Sequence, residues 1–438
     1  MKTFKSISDN KKQNMRNFIL LYIGQVISQL GSGVTSFAVI IWAYSESGKV
    51  MASSLLAICS TVPYLIVSLF GGAVADNVNK KKIMLICDTV AAAGSLVILL
   101  CFLGNSLSLW ILCIINVISG FMNAFQAPAS QVAVSLLIDK EDYARVGGVQ
   151  SIIGSVVGIL TPVLAAGLLG IGGLGLIIIV DLSTFLFAFL TLLLFVKIPD
   201  IVSNESRTSL PELWYSMKEG IGFIKKEHGI RLLLVMYSVL NFMGAISFDS
   251  MYSPLLLART GNNEMVVGIV SAFMAAGIMM ASIFLMVSKT PEKKLPIMYV
   301  GSFMCLAGIM LFGIGRNIYW WCAVVFIGCF GAPIYQTYQM VILREKVSID
   351  MHGRIFGVQG MITQMLTPIG YLVGAFLADY VFEPFMKSGR TNKVLSFVVG
   401  SGNGAGIGLI FVIAGALGIV ILVILSRSSK IKELDEQY

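Results

Sequence analysis

The chain has 438 residues, 57% of them hydrophobic and only 12% charged, so it cannot cover itself with enough polar surface to be a water-soluble globule. Its net charge of +8 does not point to nucleic acid, because the basic residues are scattered over separate segments and form no single patch. All seven Cys (59, 87, 101, 113, 305, 322 and 329) fall inside apolar runs without CxxC spacing, which argues against disulfides and zinc.

Twelve apolar runs are each about as long as a membrane-crossing helix. Spans are predicted near 18–43, 51–75, 83–103, 109–137, 146–170, 173–196, 230–257, 264–288, 295–314, 318–342, 355–380 and 404–426. A span needs roughly 20 mostly apolar residues. Inside hydrocarbon each backbone group must be bonded within its own segment, so the runs are helices. The expected fold is an all-α polytopic membrane protein. An even number of spans puts both termini on one side. Only Lys49, Arg259, Arg316, Lys387, Arg390 and Lys393, six of the 31 Lys and Arg, fall on the other side. The basic side faces the cytoplasm, so both termini are expected there, in the cytoplasmic membrane. Polar, basic residues 1–16 read as a retained cytoplasmic end and not as a signal peptide.

In chain order, span 1 carries Tyr22, Gln25 and Gln29 on one helical face. Span 3 carries Asp88, about one turn inside its cytoplasmic end. Span 4 carries Asn116, Asn123 and Gln126. Span 5 places Gly154 and Gly158 four apart, with Pro162 following, and span 6 carries Asp181. The longest cytoplasmic connection, 197–229, has a capping box at Ser209–Glu212, then Leu213, Trp214, Met217, Ile221 and Ile224 at helical spacing among Lys218, Lys225 and Lys226. This is an amphipathic helix lying on the inner membrane face or packed on protein. Span 7 holds Asn241, Ser247, Asp249 and Tyr252. Span 10 holds Gln336 and Gln339, and span 11 holds Gly370 and Gly374. Glycines at 400–408 resemble a phosphate loop, but no strand precedes them and they enter span 12, so they read as a flexible loop leading into a closely packed helix. Nothing resembles G-x-x-x-x-G-K-S/T, and no sequence feature asks for a cofactor.

Asp88, Asp181 and Asp249 are the candidates for proton coupling. A charge at mid-bilayer costs ~2.5–3.5 kcal/mol even on lenient scales, so such residues are rare and usually functional. The structural alternative is an Asp bonded to neighbouring helices, or one at the wet end of its span. The amides (Gln25, Gln29, Asn116, Gln126, Asn241, Gln336, Gln339) and Tyr22 could orient a substrate in a cavity, or simply bond between helices. Met (22) and Phe (26) are abundant, which suits either a pocket that repacks around varied ligands or a lipid-facing surface.

The halves repeat. Ala127-Pro128-Ala-Ser-Gln131 matches Ala332-Pro333-Ile-Tyr-Gln336, Arg145-Val-Gly-Gly148-Val-Gln150 matches Arg354-Ile-Phe-Gly357-Val-Gln359, and Thr161-Pro162 matches Thr367-Pro368. The matches keep their order at nearly one offset, and copies six spans apart share one membrane orientation. The expected domains are an N-terminal six-helix bundle (1–196), a cytoplasmic linker (197–229) and a C-terminal six-helix bundle (230–438).

Twelve spans, a six-plus-six repeat and a long central loop resemble the major facilitator superfamily. Gly72-Ala-Val-Ala-Asp76-Asn77-Val-Asn79-Lys80-Lys81 resembles its loop signature G-x-x-x-D-R-x-G-R-K/R, with Asn77 where Arg is usual and Asn79 where Gly is usual. Within the superfamily the chain is similar to macrolide-efflux exporters, through Gly24-Gln25-Val-Ile-Ser28-Gln-Leu-Gly31-Ser32, Cys87-Asp88-Thr-Val-Ala-Ala-Ala-Gly94, Met217-Lys-Glu-Gly220, Gly353-Arg354-Ile-Phe-Gly357 and Ala378-Asp379-Tyr-Val-Phe-Glu383-Pro384-Phe385. The resemblance implies proton-coupled export of amphipathic compounds by a monomer in contact with membrane lipids. It also implies a cytoplasmic gate built from Gly72, Asp76, Lys80, Lys81, Arg145 and Arg354. Two departures stand out: residues 109–131 carry no charge where drug–proton antiporters usually have an Arg, and span 5 has only a loosened G-x-x-x-G-P-x-x-G-G motif. Other functions open to the sequence are export of an endogenous metabolite such as a siderophore, import, or a membrane subunit of a larger complex. An embedded enzyme is disfavoured, because no His lies inside a span.

Overall fold

A computed structural model of the chain describes residues 2–138, 143–198, 210–288, 291–347, 352–387 and 393–436; the described side chains exclude, among others, 2–12, 69–77, 143–145, 210–217 and 352–354. All regular structure among the described residues is helical. Among the described residues, eleven helices are long and apolar enough to cross a membrane. One of them, Val156–Phe195, has 40 residues and accounts for two predicted spans. Gly173, at φ 63° and ψ −166°, breaks the helix Tyr143–Leu190 where span 6 was expected to begin. A positive φ costs glycine nothing sterically, so spans 5 and 6 join without a loop.

The repeat is visible in the helices themselves. Span 4 (Leu109–Leu137) and span 10 (Ile318–Lys346) both have 29 residues, with Pro128 and Pro333 inside them. Each is capped by a short polar side chain. The Ser108 hydroxyl accepts from the Ile111 N–H at 3.5 Å, and Asn317 Oδ1 accepts from the Trp320 N–H at 2.8 Å. Such caps satisfy donors that the first helical turn leaves open. Just past the caps, Trp110 and Tyr319 are exposed, the placement expected of aromatic residues at a membrane interface.

Two compact units form, one from 1–43 with 56–207 and the other from 44–55 with 208–438. In the first, Phe18, Leu21, Met84, Cys87, Ala129, Ala133 and Leu192 pack together. In the second, Leu233, Met236, Met298, Leu306, Tyr335, Tyr338 and Leu343 form the core. Lipid tails are as apolar as Leu, so helices in a membrane associate through close packing more than through the hydrophobic effect. The seam of spans 9 and 10 shows this, since a Cβ at Gly308 would lie 2.7 Å from the Cα of Gly328. The linker helix Leu210–Lys226 packs on protein at its C-terminal end. Ile224 and Phe223 join the core of the second unit, while Lys218, Lys225 and Lys226 are exposed. Span 7 is not one regular helix. His228–Gly244 widens into a π-turn at Ala245–Asp249 and resumes as Ser250–Thr260.

Candidate functional site

The first unit gathers two of the three candidate carboxylates, Asp88 and Asp181, into polar clusters. Asp88 accepts from Gln25 Nε2 at 3.3 Å through Oδ2 and from Gln126 Nε2 at 2.5 Å through Oδ1. Gln126 Nε2 also lies 3.5 Å from Gln25 Oε1. Spans 1, 3 and 4 are thereby tied at one level. Asp181 accepts from the Ser32 hydroxyl at 3.0 Å and the Ser95 hydroxyl at 2.7 Å, tying span 6 to spans 1 and 3. Gln25 and Ser32 are seven apart on span 1, as Asp88 and Ser95 are on span 3, so each pair shares one helical face. Gly31 allows span 6 to approach; a Cβ there would lie 3.1 Å from Asp181 Oδ1. Asp88 and Asp181 are both buried with both oxygens engaged.

Asp249 is different. It ends the π-turn of span 7, and among the described residues no donor reaches its carboxylate. It is densely surrounded yet solvent-accessible, as a group lining open space inside a protein would be. Tyr252 of span 7, Cys329 and Tyr335 of span 10, and Tyr371 of span 11 all lie within electrostatic reach of it. The turn is held by span 11. A Cβ at Gly370 would come within 2.6 Å of the Ala245 Cβ, and one at Gly374 would collide with the Ile246 carbonyl. Gly154 and Gly158 of span 5 have the same spacing, but a Cβ at either would meet nothing within 4 Å.

The remaining predicted residues are placed as follows. Tyr22 stacks on Phe18 with ring centroids 5.7 Å apart. Asn116 and Asn241 donate to the carbonyls of Leu112 and Tyr237, one turn back on their own helices, at 2.8 and 2.9 Å. Gln336 Nε2 lies 3.4 Å from the Tyr335 hydroxyl, next to the Asp249 surroundings. Gln339 is buried and accepts from Gln359 Nε2 at 3.4 Å. Gln29 and Asn123 are exposed, and Pro162 is buried within its helix.

At the basic ends, Lys81 Nζ donates to the carbonyls of Leu193 and Val196 at 3.0 and 2.8 Å, capping the last turn of span 6. A cation there complements the helix dipole. Lys80 is buried, and Asn79 Oδ1 accepts from the Lys82 N–H at 3.0 Å to cap span 3. The expected gate residues Gly72, Asp76, Arg145 and Arg354 lie outside the residues whose side chains are described. Partners that the sequence reading did not anticipate are Ser32, Ser95, Tyr335, Tyr371 and Cys329. The seven-residue spacing of Ser32 from Gln25 was a usable signal. The ring around Asp249 was not, because its members come from three distant helices.

The glycine-rich stretch is structural. Gly400, Gly402 and Gly404 have φ of 89°, 117° and 79°. Arg259 donates to the carbonyls of Gly315, Val399 and Gly404, the last two at 2.9 and 3.5 Å. Among the described residues no group of His, Cys, Asp and Glu could hold a metal ion.

The family model described as Major Facilitator Superfamily matches residues 21–371. Macrolide efflux protein A of Streptococcus pyogenes is 24% identical over 367 residues, covering 83% of this chain and 90% of that protein. Among solved structures, a bacterial homologue of the iron transporter ferroportin in an inward-facing state superposes with TM-score 0.67 at 14% identity, over 94% of this chain and 99% of that one. A bacterial homologue of the human lysosomal transporter Spinster also gives 0.67, at 16% identity over 97% of each chain. These likenesses below one quarter identity speak to fold alone, and they agree with the repeat and with the helices that cross the membrane. The chain is a transporter and not an enzyme, and it belongs to the Major Facilitator Superfamily.

Proposed function

We propose that the chain is a proton-coupled exporter of amphipathic drugs of the macrolide type, an antiporter that confers resistance. In this reading it works by alternating access in the cytoplasmic membrane, and Asp249 exchanges the proton. The export of macrolides is what the name of the Streptococcus pyogenes relative states, and this chain aligns with most of that protein. The assignment of Asp249 rests on one observation. Of the three candidate carboxylates it alone has no hydrogen-bond donor among the described residues, whereas Asp88 and Asp181 each accept twice. An unpartnered charge in a span is costly and persists where function needs it. Its place on a π-turn fits, since such turns recur at functional sites. Ionised, Asp249 needs water; protonated, it tolerates closure around it. A carboxylate whose two forms prefer different surroundings can bias a two-state equilibrium by that difference. The half-buried Tyr252 and Tyr371 beside it offer ring faces to an amphipathic substrate and hydroxyls to its polar groups.

The test is pH-gradient-driven macrolide uptake into inverted vesicles, with binding to detergent-purified protein measured alongside. Asp249→Asn should reduce uptake to the level of vesicles lacking the protein and leave binding in place. The amide keeps the shape and removes the titration. Normal coupling in Asp249→Asn together with its loss in Asp88→Asn or Asp181→Asn would transfer the role. Normal coupling in all three would end the carboxylate reading.

A further inference from the structure

Span 11 carries two carboxylates one turn apart near its outer end, and each sits on the start of a different helix. Asp379 accepts from the Val50 N–H at 3.0 Å through Oδ1 and from the Met51 N–H at 2.8 Å through Oδ2. These are the first two residues of the span 2 helix Val50–Asn77. Glu383 Oε1 accepts from the N–H groups of Gly406 and Ile407 at 3.1 and 3.2 Å, in the first turn of span 12, Ala405–Ser426. The donors are ones that a helix leaves without internal partners, and the dipole at a helix start favours an anion.

The two joints differ in what they hold. Glu383 and span 12 belong to the same unit in chain order, and a Cβ at Gly406 would collide with the Glu383 backbone. That joint is packed shut. Asp379 instead holds a segment that the chain brings in and takes out again. Residues 44–55 belong to the second unit, while 1–43 before them and 56–207 after them form the first. The turn between spans 1 and 2 has Gly48 at φ 64° and the Lys49 N–H bonded to the Ser47 hydroxyl at 3.2 Å. The start of span 2 is packed, with Val50 1% exposed, and the two N–H groups on Asp379 bond it to span 11. A cavity of about 610 Å³, lined among others by Tyr44, Lys49, Asp379, Glu383, Lys387 and Asn403, opens beside the bond and leaves room for the turn to move.

We propose that Asp379 is a releasable clasp on the outer end of span 2, closed in one state of the transport cycle and opened in the other, with Glu383 as the fixed joint beside it. The proposal rests on the alternating-access reading, in which spans 1 and 2 must shift against span 11. Asp379 is a positioning residue and touches no substrate in this role.

The experiment measures how fast an impermeant maleimide, added outside intact cells, labels a cysteine at Ala52→Cys. Ala52 is 3% exposed, so a closed clasp shields it. The parent chain with its own cysteines supplies the baseline. Asp379→Asn should raise the labelling rate about tenfold, the fold-change to which ~1.4 kcal/mol corresponds. Val50→Pro removes one donor and leaves Asp379 intact, at a first helical position where proline is tolerated; it should raise the rate in the same direction. Parent-like labelling in both variants would overturn the clasp. The readout needs no transport. A clasp that opens in a chain moving no drug would sink only the exporter reading, and drug transport with unchanged labelling in both variants would sink only the clasp.

Discussion

Asp88, Asp181 and Asp249 are the same side chain in three surroundings: two accept hydrogen bonds from neighbouring spans, and Asp249 meets no donor among the described residues. The sequence alone could name all three, because a carboxylate in an apolar run is conspicuous. It could also name Gln25 and Gln126. It could not pair them, since the Asp88 cluster joins residues from three helices and only tertiary packing decides which amide meets which acid. Asp181 is predicted to be structural. Asp181→Ala removes the acceptor that ties the Ser32 and Ser95 hydroxyls of spans 1 and 3 to span 6, and each such hydrogen bond contributes ~0.5–1.5 kcal/mol net. Purified Asp181→Ala should therefore melt at a lower temperature than the parent, while the protein that remains folded still couples transport to the proton gradient. Parent-like melting, or loss of coupling without loss of stability, would contradict this. Asp379 and Glu383 show the opposite limit of legibility. They stand four apart at the C-terminal end of span 11, but nothing local reveals that each caps a helix, since the helix starts they meet are remote in the chain.

At the scale of helices, spacing located the elements and left their contacts open. The predicted limits of spans 4 and 9 coincide with the helices Leu109–Leu137 and Leu295–Ile314, because polar caps and turn residues bound the apolar runs. The join at Gly173 and the π-turn of span 7 were not foreseen; both are backbone adjustments inside uninterrupted apolar sequence. Paired glycines four apart occur in spans 5 and 11 alike, yet only Gly370 and Gly374 are pressed against another helix in their own unit. The spacing permits close approach but does not choose the face that receives it. Gly374→Val should push the Asp249 turn away from span 11. Overpacking of this kind costs about 1–3 kcal/mol, and the variant should lose thermal stability and transport together. Gly154→Ala adds a methyl to open space inside a helix, where alanine is favoured over glycine by ~0.5–1 kcal/mol, and should leave thermal stability equal to or above the parent's. Equal behaviour of the two variants in thermal unfolding and vesicle uptake would refute the distinction.

For the whole molecule, the distribution of Lys and Arg sets the expected orientation. Only six of 31 lie in the segments assigned outside, and short-loop basic residues remain on the cytoplasmic side. A reporter fused after Tyr438 should thus be cytoplasmic, and Ser388→Cys should react with an impermeant reagent applied outside. External labelling of Lys218→Cys would reverse the assignment. The glycine join between spans 5 and 6 bears on how this orientation arises during synthesis. No charged residue lies between Arg145 and Asp181, so no charge at the Gly173 join within Val156–Phe195 can arrest the nascent chain or instruct span 6 independently. The insertion machinery meets a single apolar stretch of 40 residues, too long to cross once and joined too tightly to expose a loop. Spans 5 and 6 must therefore enter the bilayer together as a helical hairpin, with the direction of the second inherited from the first.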